Sequence, residues 1–402
     1  MTVVERFLNY IKFDTQSSNE SETSPSTLKQ FDLAHFLMNE LKELGVEDIT
    51  LSDTCTIYGH IKANSSKDLP HIGFVSHMDT ATDMTGKDVK ANIIDYKGGD
   101  IILNEKLGIK MGPDMFESLE RDKNQKLIVT DGTTLLGADD KAGVSEIMTL
   151  IAYVQEHPEF KHGAISFAFT PDEEVGRGTE NFDPEQFKVD YAYTVDGGEY
   201  DTIEFENFNA SEAKVYIKGR SIHPGSAKGK MLNSQLVGFE FNSLLPTFDN
   251  PAYTEGYEGF NHLCEFNGSC EETTMEYIIR NHDLTLLRKQ ENDFRNAEQF
   301  LNAKYGEGTV KVEFKDNYLN MRTMIEPHME IIDRVKGAMK NLGVTAKCSP
   351  IRGGTDGAAL TYKGILCPNL GTGGRNYHGK YEYAVISEME FMVKLLIELV
   401  KE

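Results

Sequence analysis

Hydrophobic and polar residues follow one pattern over roughly the first half of the chain. Short apolar runs at 71–76, 164–169 and 191–195 are typical of buried strands. Residues 27–44 and 144–151 place apolar side chains at helical spacing between those runs. Strands that alternate with helices predict an α/β domain with a largely parallel sheet.

A second pattern begins near residue 207. Apolar and polar residues alternate at 213–217 and 310–314, which indicates half-exposed antiparallel strands, and 274–280 predicts another strand. Helices are predicted over 232–245 and directly after Asp283. The pattern is that of a small α+β domain.

We therefore expect two domains. A catalytic domain with a mixed, largely parallel sheet would comprise 1–206 and 320–402, and an inserted α+β lid domain with an antiparallel sheet would comprise 207–319. The chain ends in an apolar helix, and Ser387 and Glu390 in front of it predict a capping box.

Charge and composition narrow the class of protein. Lys and Arg total 41 against 64 Asp and Glu, a net charge of −23 that disfavours nucleic acid and favours divalent cations. The sequence contains no apolar run of the ~20 residues that a membrane helix needs, and its N-terminus does not resemble a signal peptide. The 5 cysteines lack CxxC spacing, which favours a reducing, cytoplasmic location over disulfides or a thiolate metal site.

Acids and histidines follow the predicted strands, where ligands bind in open α/β sheets. His77 and Asp79 lie two residues apart and can face one site, with Asp79 orienting His77 as a metal ligand. Asp139 and Asp140 precede a helix between glycines. Taken alone, the first pair is more often a turn acid beside a surface histidine, and the second suits helix capping equally well.

Three further acids and a late histidine complete the set. Glu173 and Glu174 directly follow a strand and point in different directions, so one can bind a metal and the other can move protons. A solvated acidic loop is the alternative. Asp196 follows the next strand and His378 lies near the end of the chain, and each alone is typical of a turn or a structural histidine.

Together these residues suit two Zn²⁺ ions. Two histidines, two terminal carboxylates and one bridging carboxylate form a familiar ligand set. Two such ions about 3.5–4 Å apart can share a water, lower its pKa and stabilise a tetrahedral intermediate.

The sequence also resembles a known family. The segments that carry the resemblance are 77–79, 137–143, 172–176, 219–225, 227–233, 352–357 and His378. In this order, and along the whole chain, they are similar to the co-catalytic zinc peptidases related to carboxypeptidase G and aminoacylase. The resemblance implies a two-zinc exopeptidase of the cytoplasm that hydrolyses the N-terminal peptide bond of tripeptides.

The resemblance also implies a role for each metal ligand. His77 and Asp196 would bind one zinc, Glu174 and His378 would bind the other, and Asp139 would bridge both.

It further implies how the catalytic carboxylates are arranged. Asp79 would orient His77, and Glu173 would be the general base that deprotonates the water and passes the proton to the leaving amine. The peptide bond between Asp139 and Asp140 is expected to be cis.

Four residues are candidates for substrate binding. His223 would stabilise the oxyanion, and Asn233 belongs to the same matching stretch of the lid. Arg280 and Arg352 are candidates for the substrate carboxylate, because guanidinium pairs with carboxylate through two hydrogen bonds. For Arg280 an ordinary surface ion pair is an equally good reading.

Other functions remain open at this point. A dipeptidase, a carboxypeptidase or an N-acyl amino acid deacylase would share the metal ligands and differ in the lid. A non-catalytic, metal-dependent binding protein would not need Glu173, so its presence favours catalysis. The partners expected are small peptides, with no nucleic acid and no membrane, and a homodimer is left open.

Overall fold

The computed structural model describes all 402 residues. The helices are α1 (Val3–Tyr10), α2 (Gln30–Glu43), α3 (Ser118–Arg121), α4 (Ala138–Glu156), α5 (Pro184–Phe187), α6 (Ser234–Leu244), α7 (Leu284–Tyr305), α8 (Arg322–Ile325), α9 (Glu330–Asn341), α10 (Asp356–Tyr362) and α11 (Ile386–Val400). None of them combines the length and the apolar character needed to cross a membrane.

The strands are β1 (Asp48–Leu51), β2 (Ile57–Ile61), β3 (Ile72–His77), β4 (Asn92–Asp95), β5 (Ile101–Asn104), β6 (Ile109–Met111), β7 (Lys126–Val129), β8 (Ile165–Thr170), β9 (Tyr191–Gly197), β10 (Thr202–Glu204), β11 (Asn209–Lys218), β12 (Phe260–Gly268), β13 (Glu272–Asn281), β14 (Val310–Tyr318), β15 (Lys347–Cys348), β16 (Asn369–Gly371), β17 (Gly374–Arg375) and β18 (Tyr383–Val385).

The chain forms two compact units. The first unit comprises Met1–Phe205, Thr323–Ser349 and Thr355–Glu402, and the second unit comprises Glu206–Arg322 and Pro350–Gly354. The short return segment of the second unit was not expected from the sequence. It places Arg352 in the second unit, whereas Asp356 belongs to the first.

The first unit contains a mixed sheet of 8 strands in the order β1-β2-β8-β3-β9-β16-β10-β15. Its central strands β8, β3, β9 and β16 are parallel, which confirms the predicted fold class. Residues 72–77 and 165–170 are buried throughout, because a central strand has both faces covered. Their carboxyl ends lie at one edge of the sheet.

Two details of the first unit differ from expectation. The first helix of the sequence pattern begins at Gln30, so Leu28 lies before it and is exposed. The predicted capping box is wrong: α11 begins at Ile386, its N-cap is Val385, and no side chain caps it. Strand β18 leads directly into this helix, so Ser387 falls inside the first turn and donates to the Gln125 side chain instead.

The second unit contains a 4-stranded antiparallel sheet in the order β12-β13-β11-β14. The alternating apolar residues of β11 and β13 lie on one face and are buried against α6 and α7. Asp283 caps α7 by accepting hydrogen bonds from Thr285 and Leu286. The strands and helices predicted from the alternation are therefore confirmed.

Candidate metal centre

Two groups of three side chains converge in the first unit. His77, Asp139 and Asp196 form one group, and Asp139, Glu174 and His378 form the other, with all ligand atoms of a group within 4.8 Å of one another. Asp139 belongs to both groups. The five residues come from the ends of β3 and β9, the start of α4, the turn after β8 and a loop near the C-terminus.

The distances show how Asp139 is shared. The His77 imidazole Nε2 lies 2.9 Å from Asp139 Oδ1 and 3.4 Å from Asp196 Oδ1. The His378 Nε2 lies 3.2 Å from Asp139 Oδ2 and 3.0 Å from Glu174 Oε2. Each oxygen of Asp139 therefore faces a different imidazole, which is the arrangement a carboxylate needs to bridge two cations.

The backbone around Asp139 is held by a distant acid. The Glu382 carboxylate accepts hydrogen bonds from the N–H groups of Leu136, Gly137 and Asp139. The peptide bond between Asp139 and Asp140 is cis, as expected. The sequence offered no signal for Glu382, because its partners lie more than 240 positions away.

Asp140 supports the neighbouring strand end. Its carboxylate accepts from the backbone N–H groups of His77 and Gly143, both at 3.2 Å. A side chain at position 143 would overlap the carbonyl oxygen of Val195, so glycine is required for α4 to approach the end of β9. The glycine therefore brings Asp139 close to Asp196.

Asp79 links the end of β3 to the turn that follows β8. Its fully buried carboxylate lies 3.3 Å from His77 Nδ1 and accepts from the backbone N–H groups of Glu173, at 3.0 Å, and Glu174, at 3.2 Å. One side chain thus restrains the His77 ring and the backbone of both glutamates. The sequence predicted the contact with His77 and missed the contact with the glutamates.

A second buried acid, Asp172, stabilises the turn that carries Glu173 and Glu174. Asp172 has a φ of 58°, and its carboxylate accepts hydrogen bonds from the Ser26 N–H, the Ser26 hydroxyl and the Gln30 amide. Left-handed backbone is uncommon for a residue with a side chain, so these contacts stabilise an unfavourable turn. The turn directs Glu173 and Glu174 away from the strand.

The site concentrates negative charge in a buried space. Burial, and secondarily Asp139, raise the pKa of Glu174 to about 7. Hydrogen bonds to Asp139 and Glu174 raise the pKa of His378 to about 11. Burial opposes ionisation of Asp139, yet hydrogen bonds from His378 and His77 outweigh it and lower the pKa of Asp139. The negative charges of these carboxylates repel one another. Either protons on the imidazoles or divalent cations would relieve this repulsion.

The donor set fits two divalent cations. Glu174 Oε1 is buried and has no hydrogen-bond partner, so an electron pair at this position is available to a metal. Imidazole nitrogen together with carboxylate oxygen is chemistry that suits zinc. Metal binding would replace the protons that the two histidines otherwise carry.

Glu173 lies next to these ligands. Burial is the main cause that raises the pKa of Glu173, and the nearby charges of Asp196, Asp356 and Glu174 raise it further. A carboxyl group of this kind can accept a proton from a water and release it again.

Two of the predicted substrate residues lie in loops and helix ends of the second unit. His223 is exposed, and its Nδ1 accepts from the Gly225 N–H at 3.2 Å. Asn233 caps α6, where its side-chain oxygen accepts from the Gln235 N–H at 3.0 Å. Neither residue belongs to the first unit.

The two arginines are also in the second unit, and they differ in how many nitrogens they use. Arg352 donates from both terminal nitrogens to the loop at 254–258 and lies over the Phe208 ring. Arg280 donates hydrogen bonds only from Nη1, to the carbonyl oxygens of Ser211 and Ile279, and it lies over the Tyr318 ring. Arg280 therefore keeps more of its guanidinium available for a ligand.

Comparison with known proteins agrees with this geometry. The model of peptidase family M20/M25/M40 matches residues 129–402. Peptidase T of Caldanaerobacter subterraneus is 51% identical over 400 residues, covering 99% of this chain and 98% of that protein.

Solved structures show the same fold. The aminopeptidase PepT of Bacillus cereus superposes with a TM-score of 0.77 at 22% identity, covering 99% of this chain and 97% of that one. A tripeptidase of Staphylococcus aureus superposes with a TM-score of 0.78 at 20% identity, covering 99% of this chain and 96% of that one. The family resemblance predicted from the motifs is confirmed, and the chain belongs to peptidase family M20/M25/M40.

Proposed function

We propose that this protein is a metal-dependent aminopeptidase that removes the N-terminal residue from tripeptides. The observation that carries the proposal is the Asp139 carboxylate shared by two groups of ligands, with Glu173 held beside them through Asp79. The preference for tripeptides is supported by the full-length likeness to peptidase T and by the fold of a tripeptidase.

Each ligand has a proposed place. His77 and Asp196 hold one cation, Glu174 and His378 hold the other, and Asp139 bridges them. We propose zinc for both positions. Two bound divalent cations would polarise the scissile carbonyl and lower the pKa of the attacking water.

Glu173 moves the protons of the reaction. Its carboxylate accepts a proton from the water as the water oxygen bonds to the carbonyl carbon and the π electrons of the carbonyl move to its oxygen, which gives an oxyanion. When the C=O bond re-forms and the bond from carbon to nitrogen breaks, the same proton goes to the leaving amine. Asp79 supports both steps, because its hydrogen bond to the Glu173 N–H holds the base in place.

The residues of the second unit are proposed to recognise the rest of the peptide. His223 stabilises the oxyanion, and Asn233 contributes to the same binding surface. Of the two arginines, Arg280 is the better candidate for the C-terminal carboxylate, since Arg352 already donates to three backbone carbonyls. A cation at a fixed distance from the metals would select peptide length.

The location and assembly of the protein are secondary proposals. The 5 cysteines are free thiols, which supports a reducing, cytoplasmic compartment. The homodimer stays a prediction.

One substrate series tests the function. We expect kcat/KM to be highest for a tripeptide with a free amine and lower for the corresponding dipeptide, tetrapeptide and N-acetylated tripeptide. Preference for the N-acetylated peptide would indicate a deacylase or carboxypeptidase instead. Metal binding without turnover of any peptide would indicate a binding protein.

Metal analysis tests the cofactor. Chelation should abolish turnover, and Zn²⁺ should restore it with two ions bound per chain. If another divalent metal restores turnover and Zn²⁺ does not, the zinc assignment is wrong while the ligand assignment stands.

A further inference from the structure

One buried acid beside the metal centre has no role in the function proposed above. Asp356 is the first residue of α10, and its side chain is buried, with the residue 7% exposed. Its Oδ2 accepts a hydrogen bond of 2.9 Å from the Thr170 hydroxyl. Thr170 ends β8 and pairs with His77 on β3, so Asp356 lies beside the strand end that carries a metal ligand.

The surrounding backbone leaves room for this carboxylate. A Cβ atom at position 178 would overlap both carboxylate oxygens of Asp356, so glycine at 178 is required for the close approach. Gly178 lies four residues after Glu174. The segment that carries the general base therefore also forms a wall of the Asp356 site.

The other buried acids near the site are committed to hydrogen bonds within the protein. Asp79, Asp140 and Glu382 each accept from at least two backbone N–H groups. Asp356 receives only the Thr170 hydroxyl on Oδ2, and no donor contacts its Oδ1. It forms no ion pair with lysine or arginine. A buried carboxylate without a cation is costly, and burial accordingly raises the pKa of Asp356 to about 7. A cation supplied by the substrate would stabilise its charged form.

The substrate of an aminopeptidase carries such a cation, the α-ammonium group at its N-terminus. Only the Cα atom separates the α-nitrogen of the substrate from the scissile carbon, which places the two about 2.5 Å apart. The group that binds the ammonium must therefore lie next to the general base. Asp356 meets this condition, since Thr170, which donates to its carboxylate, pairs with His77 at the end of β3. Gly178, in the segment that follows Glu173, packs directly against the carboxylate oxygens of Asp356.

We propose that Asp356 binds the α-ammonium group of the peptide substrate and thereby makes the site selective for free N-termini. This inference rests on the proposed aminopeptidase function. Gly178 and Thr170 position the carboxylate, the first by leaving space and the second by its hydrogen bond. An N-acylated peptide would leave the Asp356 charge uncompensated.

Two substrates separate this role from a general effect on the site. One is a free tripeptide, and the other is its des-amino analogue, in which hydrogen replaces the α-amino group. The wild-type protein should favour the free tripeptide by about 10- to 150-fold in kcat/KM, the effect of one charge-assisted contact. Asp356→Asn should lower kcat/KM for the free tripeptide by that factor and leave the des-amino analogue nearly unchanged.

Two further variants keep the test decisive if Asp356→Asn folds poorly. Gly178→Ala displaces the carboxylate and should shift the selectivity in the same direction, whereas Thr170→Val should shift it less. Glu204→Gln is the matched control, because Glu204 is a part-buried acid with one side-chain donor, Asn369, at 2.7 Å. Its selectivity for the free amine should equal that of the wild type.

The outcomes distinguish the inference from the proposed function. Equal losses on both substrates in Asp356→Asn and Gly178→Ala, or no loss on either, would overturn the role of Asp356. If the wild type itself does not favour the free amine, the aminopeptidase function fails, and the role of Asp356 fails with it.

Discussion

The metal centre of the first unit and the substrate candidates of the second unit are stabilised in different ways. Asp139 and Asp172 are held by Glu382, Ser26 and Gln30, which lie more than 140 positions away in the chain. His223 and Asn233 contact residues only two positions away. The metal centre is therefore a product of the tertiary fold, whereas those two substrate candidates are held by local turns.

This difference bears on function. In the first unit the ligands already face one another at 2.9–3.4 Å, so metal binding needs little rearrangement. In the second unit the substrate candidates are hydrogen-bonded within their own unit and do not form a comparable cluster. We expect substitutions in the metal centre to have the larger effects.

Substitutions of the two adjacent glutamates should have the largest effects on turnover, and the two substitutions should differ in their effect on metal binding. Glu173→Ala should lower kcat by about 10²- to 10⁴-fold while both metals stay bound, because only the proton transfer is lost. Glu174→Ala should also lose one metal, since it removes a ligand. The measurements are kcat and metal content per chain.

An exposed acid provides the control for this pair. Glu185 lies in the first turn of α5 and is exposed, so Glu185→Ala should retain both turnover and metal. Near-normal kcat in metal-loaded Glu173→Ala would show that another group is the base.

The next largest effect is expected for Asp172, which stabilises the turn that carries Glu173 and Glu174 through contacts with a remote segment of the chain. Asp172→Asn should reduce the free energy of unfolding by about 2–4 kcal/mol, because charge-assisted hydrogen bonds to Ser26 and Gln30 are lost in a buried site. Asp183 is an exposed helix cap, and Asp183→Asn should cost less than about 0.5 kcal/mol. Urea unfolding measures both, and equal costs would contradict the idea of a long-range anchor.

The contrast also explains what the sequence could predict. Strand ends carry their acids in predictable places, so His77, the pair Glu173 and Glu174, and Asp196 could be selected as candidates from their positions, and the structure brings His77, Glu174 and Asp196 near Asp139. The same reasoning gave the central strands and the alternation in the second unit. Such signals are local in the chain.

The supporting acids could not be predicted in this way. Glu382 and Asp172 act on backbone groups of remote segments, and no spacing in the sequence marks such contacts. Asp356 was visible within a motif, but its separation from Arg352 into the other unit was not. The capping box failed for a similar reason, since the pairing of β18 with β7 decides where α11 begins.

A smaller effect is expected for the arginines of the second unit. Arg280→Ala should lower kcat/KM for a tripeptide by about 10- to 150-fold, the loss of one charge-assisted contact, and hardly affect the C-terminally amidated analogue. Arg352→Ala should affect both substrates alike, because its guanidinium holds the loop at 254–258. Kinetics of both variants on both substrates measure this, and equal losses for Arg280→Ala on the two substrates would show that Arg280 does not set peptide length.

The smallest effect should come from Asn233, whose side chain caps α6. Asn233→Ala should destabilise the start of this helix by about 0.5–2 kcal/mol, whereas Asn233→Asp should keep the cap, because aspartate accepts the same hydrogen bond from the Gln235 N–H. If the amide also contacts substrate, as the family resemblance implies, both variants should lose kcat/KM although only one loses stability. Hydrogen exchange in α6 and tripeptide kinetics measure the two properties separately. If Asn233→Asp retains both the stability of α6 and the kcat/KM for the tripeptide, Asn233 acts only as a helix cap. His223 and Arg280 would then be the remaining substrate candidates of this unit.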